Sequence, residues 1–147
     1  MMGNLRQTAA DLGLPFGEQK IIYNSRLSQE LGLWCESQDK GDAFHIAAFR
    51  AYFVEGKNIA KIPVLVELAA SIGLSRKEAS SICTTRAFKA EVDADWSLSK
   101  EKAITAVPTF VMDHDKLVGA QPYKKLEGFI KAHGVKKRNK KWTFTFY

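Results

Sequence analysis

Ala106-Val107-Pro108-Thr109-Phe110-Val111-Met112 leads into Asp113-His114-Asp115-Lys116, and the chain returns as Leu117-Val118-Gly119 before Gln121-Pro122. A polar turn between two apolar runs predicts a hairpin, Thr109 to Met112 against Lys116 to Gly119. Taken by itself, a proline at the head of a strand fits an edge or a turn, because it has no N–H to give to a neighbour. Pro122 then opens a helix in which Tyr123, Leu126, Phe129 and Ile130 face inward, and Gly134 lies beyond its end. A two-stranded sheet is marginal alone, so something must extend or cover it.

Working outward, Trp142-Thr143-Phe144-Thr145-Phe146-Tyr147 alternates apolar and hydroxyl side chains, the period of a strand, with a disordered end as the alternative. Between it and the helix stand Lys136, Lys137, Arg138, Lys140 and Lys141. The net charge of +6 comes from 22 basic and 16 acidic residues; without those five, 17 face 16 and the body is nearly neutral. A basic tail can attract phosphate. No recognition pattern accompanies it, so nucleic-acid binding is not expected.

Upstream of the hairpin the pattern is helical. Leu5, Ala9 and Leu12 share a stripe that Gly13 stops. Asn24 or Ser25 caps a helix carrying Leu27, Leu31, Trp34 and Cys35. Asp42 caps Ala43 to Val54, a segment so aromatic that it predicts burial on more than one side. Pro63 suits a first helical turn, before a stripe of Val64, Leu65, Leu68, Ala69 and Ile72. Ser75-Arg76-Lys77-Glu78 reads as a capping box for a short helix to about Cys83. A longer helix follows from about Thr85 to Glu101, burying Phe88, Val92, Trp96 and Leu98.

At 147 residues, 46% apolar and 26% charged, the chain reads as one soluble globular domain with a real core. No run is long and apolar enough to span a membrane, and the start lacks the apolar core of a secretory signal. A cytoplasmic location is expected. Cys35 and Cys83 stand far apart, in no Cys-x-x-Cys, and read as buried core thiols without a disulfide. Cys83, near a helix end with Arg86 close in sequence, is the candidate reactive thiol. His45, His114 and His133 have no metal-ligand spacing with these thiols. His45 reads as a buried, hydrogen-bonded core residue, and Asp113-His114-Asp115 as part of a turn. Neither metal nor cofactor is implied.

The order of these elements resembles the DsbA family of thioredoxin-fold proteins, in its FrnE-like branch. The likeness is carried by Asn24-Ser25-Arg26-Leu27 with Glu30-Leu31, by Ala43-Phe44-His45, and by Phe49-Arg50-Ala51-Tyr52-Phe53-Val54-Glu55-Gly56-Lys57-Asn58-Ile59. Val64-Leu65, Leu68-Ala69, Ala106 to Val111 and Gly119 to Pro122 continue it, nearly to His133. It implies an α/β, mostly helical fold: an incomplete thioredoxin-like fold with a DsbA-type helical insertion at about 24–102. The cis-proline hairpin and last helix would span 103–134, followed by a basic tail and aromatic strand at 135–147. The family's strand, Cys-x-x-Cys helix and second strand would precede residue 1, so no catalytic cysteine carries over. The resemblance further implies a cis Val107–Pro108 bond, with Val107, Pro108 and Thr109 meeting an extended peptide or protein substrate as an added strand would.

Three readings follow. The chain is a piece of a disulfide oxidoreductase or isomerase that is redox-inactive alone or needs a second chain. Alternatively, it is a non-catalytic peptide-binding module using the cis-proline edge. As a third reading, its basic tail meets nucleic acid. Self-association through the open sheet edge is also expected.

Overall fold

The chain opens on an amphipathic helix, α1 (Met2–Asp11), and continues through α2 (Arg26–Ser37), α3 (Gly41–Phe53), α4 (Ile62–Ser71), α5 (Arg76–Thr85) and α6 (Lys89–Glu101). A hairpin of β1 (Thr109–Met112) and β2 (Asp115–Val118) and a last helix, α7 (Tyr123–Ala132), follow. This structure, a computed structural model, describes residues 2–18 and 21–136. The expected strand Trp142–Tyr147 and the tail cations beyond Lys136 lie outside the described residues. The chain divides into two units inside α6, between Trp96 and Ser97.

In the first unit, α2 to α5 enclose one core. Leu31, Trp34 and Cys35 of α2 meet Phe44, Ala48 and Ala51 of α3, Leu65, Leu68 and Ala69 of α4, and Ala79 and Cys83 of α5. Close approach is paid in glycine. A Cβ on Gly41 would fall 2.4 Å from the Glu36 Cγ. Gly17 donates its N–H to the Phe53 carbonyl at 2.8 Å, and a Cβ there would fall 2.2 Å from the Val54 oxygen.

The caps refine the expected boundaries. Asn24 Oδ1 accepts the Arg26 N–H at 2.9 Å, while the Ser25 hydroxyl accepts from the Gln29 amide instead. Asp42 is no cap: α3 starts one residue earlier at Gly41, and Asp42 sits in its first turn, where a carboxylate suits the helix dipole. Ser75 accepts the Glu78 N–H at 3.3 Å, as one arm of a capping box requires. The α5 helix runs on to Thr85, and α6 starts only at Lys89, not Thr85, because Arg86 takes a left-handed conformation at φ +56°.

That left-handed residue has a task. Arg86 donates through Nε and Nη2 to both oxygens of Glu30, at 2.6 and 2.5 Å. Arg26 adds a bond from Nε at 3.0 Å and reaches Asp93 and the Lys89 carbonyl with Nη2. Glu30 is only 1% exposed, and Arg86, then Arg26, hold its carboxyl below the ordinary range against the penalty of burial. The cluster thus ties α2 to the α5 end and to α6.

Several side chains expected inside are not. Phe49 and Ile46 stand exposed on α3, while Tyr52 and Phe53 are half-buried against Tyr23 and Phe16. Trp96 and Leu98 are also exposed; the Trp96 indole N–H donates to Gln29 at 2.8 Å and the Arg26 guanidinium lies over its ring. His45 is half-exposed, 3.7 Å from Glu36, and not a core residue. On α7, Leu126 and Phe129 are half-buried while Tyr123 and Ile130 are exposed. Among the described residues, no residue after Trp96 is buried.

Candidate functional site

The hairpin is tighter than its sequence suggests. Met112 pairs with Asp115 and Thr109 with Val118, so only Asp113 and His114 form the loop and β2 begins one residue before Lys116. Asp113 takes φ +51°, a conformation that aspartate tolerates better than most side chains. Beyond Val118 the ladder adds one more bond, from the Gly119 N–H to the Pro108 carbonyl at 2.7 Å.

That bond fixes the alternation of an antiparallel pair. Pro108 and Gly119 are a hydrogen-bonded pair, so Phe110 with Leu117 and Met112 with Asp115 are too. The main-chain groups of Thr109 and Val111 therefore point away from β2, along the free side of β1. Those of Lys116 and Val118 point away from β1.

The loop entering β1 is organised around Val107. The Val107–Pro108 bond is cis. The Thr109 hydroxyl donates to the Ala106 carbonyl at 2.6 Å and closes the bend. The Ala106 and Pro108 carbonyls are thus both used. Among the described residues, no hydrogen bond uses the Val107 main chain, and its side chain is 88% exposed. Val107 and Pro108 accordingly form an exposed rim, with Thr109 half-buried beside them.

Two contacts moor β2. Lys116 Nζ donates to the Lys102 and Ala103 carbonyls, the unpaired groups at the end of α6. Gln121 donates its amide to the Val118 carbonyl at 2.7 Å. On the far side, His133, just past the end of α7, hydrogen-bonds the Phe129 carbonyl at 2.8 Å and lies 3.2 Å from the Asp115 carboxylate. The Phe129 carbonyl, then the Asp115 charge, raises its pKa above the ordinary histidine value.

The cysteines lie elsewhere, in the helical core. Cys83 is 2% exposed; burial first, then the Glu30 charge, pushes its thiol up to about 11, with Arg86 opposing. Burial pushes Cys35 up to about 12. Both are free thiols and both stay protonated at neutral pH. Among the described residues, no group of histidine, cysteine and carboxylate side chains could hold a metal ion.

Sequence reasoning named the rim residues and missed what shapes them. The Thr109 hydroxyl, the Gln121 amide and the Lys116 ammonium are ordinary surface residue types. Their partners are carbonyls, which every residue has. Only the spacing of Thr109 from Ala106 offered a local signal, as serine and threonine often close turns on a nearby carbonyl.

Comparison with known proteins places this geometry. The uncharacterised protein YwbO of Bacillus subtilis (strain 168) is 32% identical over 88 residues, which is 59% of this chain and 44% of that one. Among solved structures, a probable DsbA oxidoreductase, SCO1869 from Streptomyces coelicolor, matches with a TM-score of 0.79 at 26% identity. The match covers 95% of this chain and 62% of that chain. The cytosolic disulfide reductase DsbM from Pseudomonas aeruginosa matches with a TM-score of 0.62 at 27% identity, over 90% of this chain and 73% of that one. The chain therefore spans well under two thirds of YwbO and slightly under two thirds of the Streptomyces protein. The family model for the DSBA-like thioredoxin domain matches residues 1–131. With its cis-proline hairpin, its helical bundle and this match over most of its length, the chain belongs to the DSBA-like thioredoxin domain family.

Proposed function

We propose that this chain is the substrate-docking part of a thiol–disulfide oxidoreductase or isomerase of the FrnE-like branch, acting on peptide or protein substrates in the cytoplasm. One observation carries the reading: the Val107 main chain is unused among the described residues, on an exposed rim continuous with the free side of β1. An extended peptide can pair there as an added strand. The relatives' names support the activity class, and the cytosolic assignment of DsbM supports the compartment. No helix of the described residues is long and apolar enough to cross a membrane.

The 147 residues by themselves are redox-inactive. They contain no Cys-x-x-Cys, and both thiols are buried and protonated. Acting alone, the polypeptide is a non-catalytic peptide-binding module, the second reading that the state of its cysteines favours. Two measurements test this. Insulin reduction by the polypeptide should stay at the uncatalysed rate; turnover would overturn the claim of inactivity. A fluorescent cysteine-containing unfolded peptide should bind, and Val107→Pro, which deletes the unused N–H, should weaken binding at least tenfold. Equal binding by the variant would remove Val107 from the site.

A further inference from the structure

The segment that joins α6 to β1 is short, and the hairpin holds it. It leaves α6 through a tight stop: the Ala103 N–H reaches the Lys100 carbonyl and the Ile104 N–H the Ser99 carbonyl, both at 2.9 Å. Ala103 takes φ +49° there, in a place that glycine usually fills. An alanine in that conformation gains from any group that holds it, and one is present. The Lys116 ammonium donates to the Lys102 and Ala103 carbonyls. Further along, the Thr109 hydroxyl takes the Ala106 carbonyl at 2.6 Å, and the Gly119 N–H takes the Pro108 carbonyl at 2.7 Å. Thr109 pairs with Val118 and Val111 with Lys116, so the Thr109 and Lys116 side chains stand on one face of the hairpin. That face grips the segment near both of its ends, and Val107 lies between the held carbonyls of Ala106 and Pro108.

We propose that the Thr109 hydroxyl and the Lys116 ammonium are positioning groups: together they hold residues 102–108 so that the Val107 N–H keeps one direction before any peptide arrives. The Thr109 bond acts most directly. The Ala106 carbonyl and the Val107 N–H belong to one planar peptide unit and point opposite ways, so a hydroxyl that fixes the first also aims the second. The Lys116 bond acts at the root of the segment, by fixing where the chain leaves α6. Their part in binding rests on the peptide-docking reading. A docking strand then meets an N–H already ordered, and the loss of freedom that a loose segment suffers on binding is avoided. Neither side chain has to touch the peptide to have this effect.

Two readouts on the full chain test this. Thr109→Val keeps the shape and loses the hydroxyl; Lys116→Met keeps the stem and loses the charge. The first readout needs no ligand. The heteronuclear NOE of the Val107 amide should match the β1 amides in the unaltered chain and fall in both variants. Thr109→Ser and Lys116→Arg, which keep a donor, should restore it. The second readout is the affinity for the fluorescent cysteine-containing peptide. It should fall about fivefold in each variant that lacks the donor, the worth of one hydrogen bond, and return when the donor returns. A merely stabilising role would lower the urea midpoint and leave affinity untouched, and that result overturns the proposal. An unchanged Val107 NOE in both variants overturns it too. An unaltered chain that binds no peptide, while Val107 loosens in both variants, would end the docking reading and uphold the positioning of Val107.

Discussion

The helical unit and the hairpin unit obey different rules. The first buries Leu31, Cys35, Phe44, Leu65, Ala69 and Ala79 almost completely and encloses even a carboxylate, Glu30, by giving it two guanidinium partners. The second, among the described residues, buries no side chain fully and is held by side chains reaching for carbonyls. Burial of apolar surface is the main source of stability, so the first unit has the means to stand alone. Among the described residues, the hairpin unit leaves Phe110, Val111 and Val118 exposed. The contrast separates a unit with a closed apolar core from one without.

The sharpest way to break that contrast is a pair of truncations. Phe44→Ala should destabilise the protein by about 4 kcal/mol, because it removes a fully buried ring from a packed core. Phe110→Ala should cost under about 1 kcal/mol, since an exposed site leaves little cavity. Urea unfolding of both variants measures this; similar losses would abolish the distinction.

Glu30→Ala comes next, at about 3 kcal/mol, because deleting one partner of a buried ion pair strands the other. The folded-state pKa of Glu30 lies below its ordinary 4.5. Its stabilisation is therefore complete above pH 4.5 and is lost as pH falls through the lowered folded value. The variant should flatten that acid limb in pH-dependent urea titrations.

The cysteines sharpen the comparison chemically. In native buffer, a thiol reagent should label Cys35 and Cys83 at least a hundredfold more slowly than in urea. With pKa values pushed up to about 12 and about 11, both are protonated as well as enclosed. Rapid native labelling would show that the helical core opens as readily as the hairpin.

The smallest effect belongs to His133. Its folded pKa is raised above 6.5, so its contribution is fully present below pH 6.5 and fades as pH rises through the raised value. Hydrogen exchange at the hairpin amides should quicken across that window, and His133→Gln should remove the pH dependence.

What could be read from the sequence follows the same division. The helical stripes were legible because Leu31, Phe44, Leu65 and Leu68 recur at the period of a buried face, and because Gly13, Gly73 and Gly134 mark stops. The cis-proline strand was legible through the resemblance. Three kinds of feature were hidden. Arg86 breaks α5 from α6 for the sake of Glu30, a partner 56 residues away that no local pattern announces. The α3 helix looked buried on more than one side, and composition cannot say which residues a neighbour covers: Phe49 and Ile46 are left outside. The hairpin register slipped by one residue because the loop is set by the conformation of Asp113, not by polarity.

Gly17 has a wider meaning for how this chain can change. Its single hydrogen lets a connecting segment lie directly on the end of α3, with a Cβ position only 2.2 Å from the Val54 oxygen. Alanine, the smallest replacement, would already drive the segment off its seat. In a library of every substitution, position 17 should therefore admit one residue, although it lies in no helix and no strand.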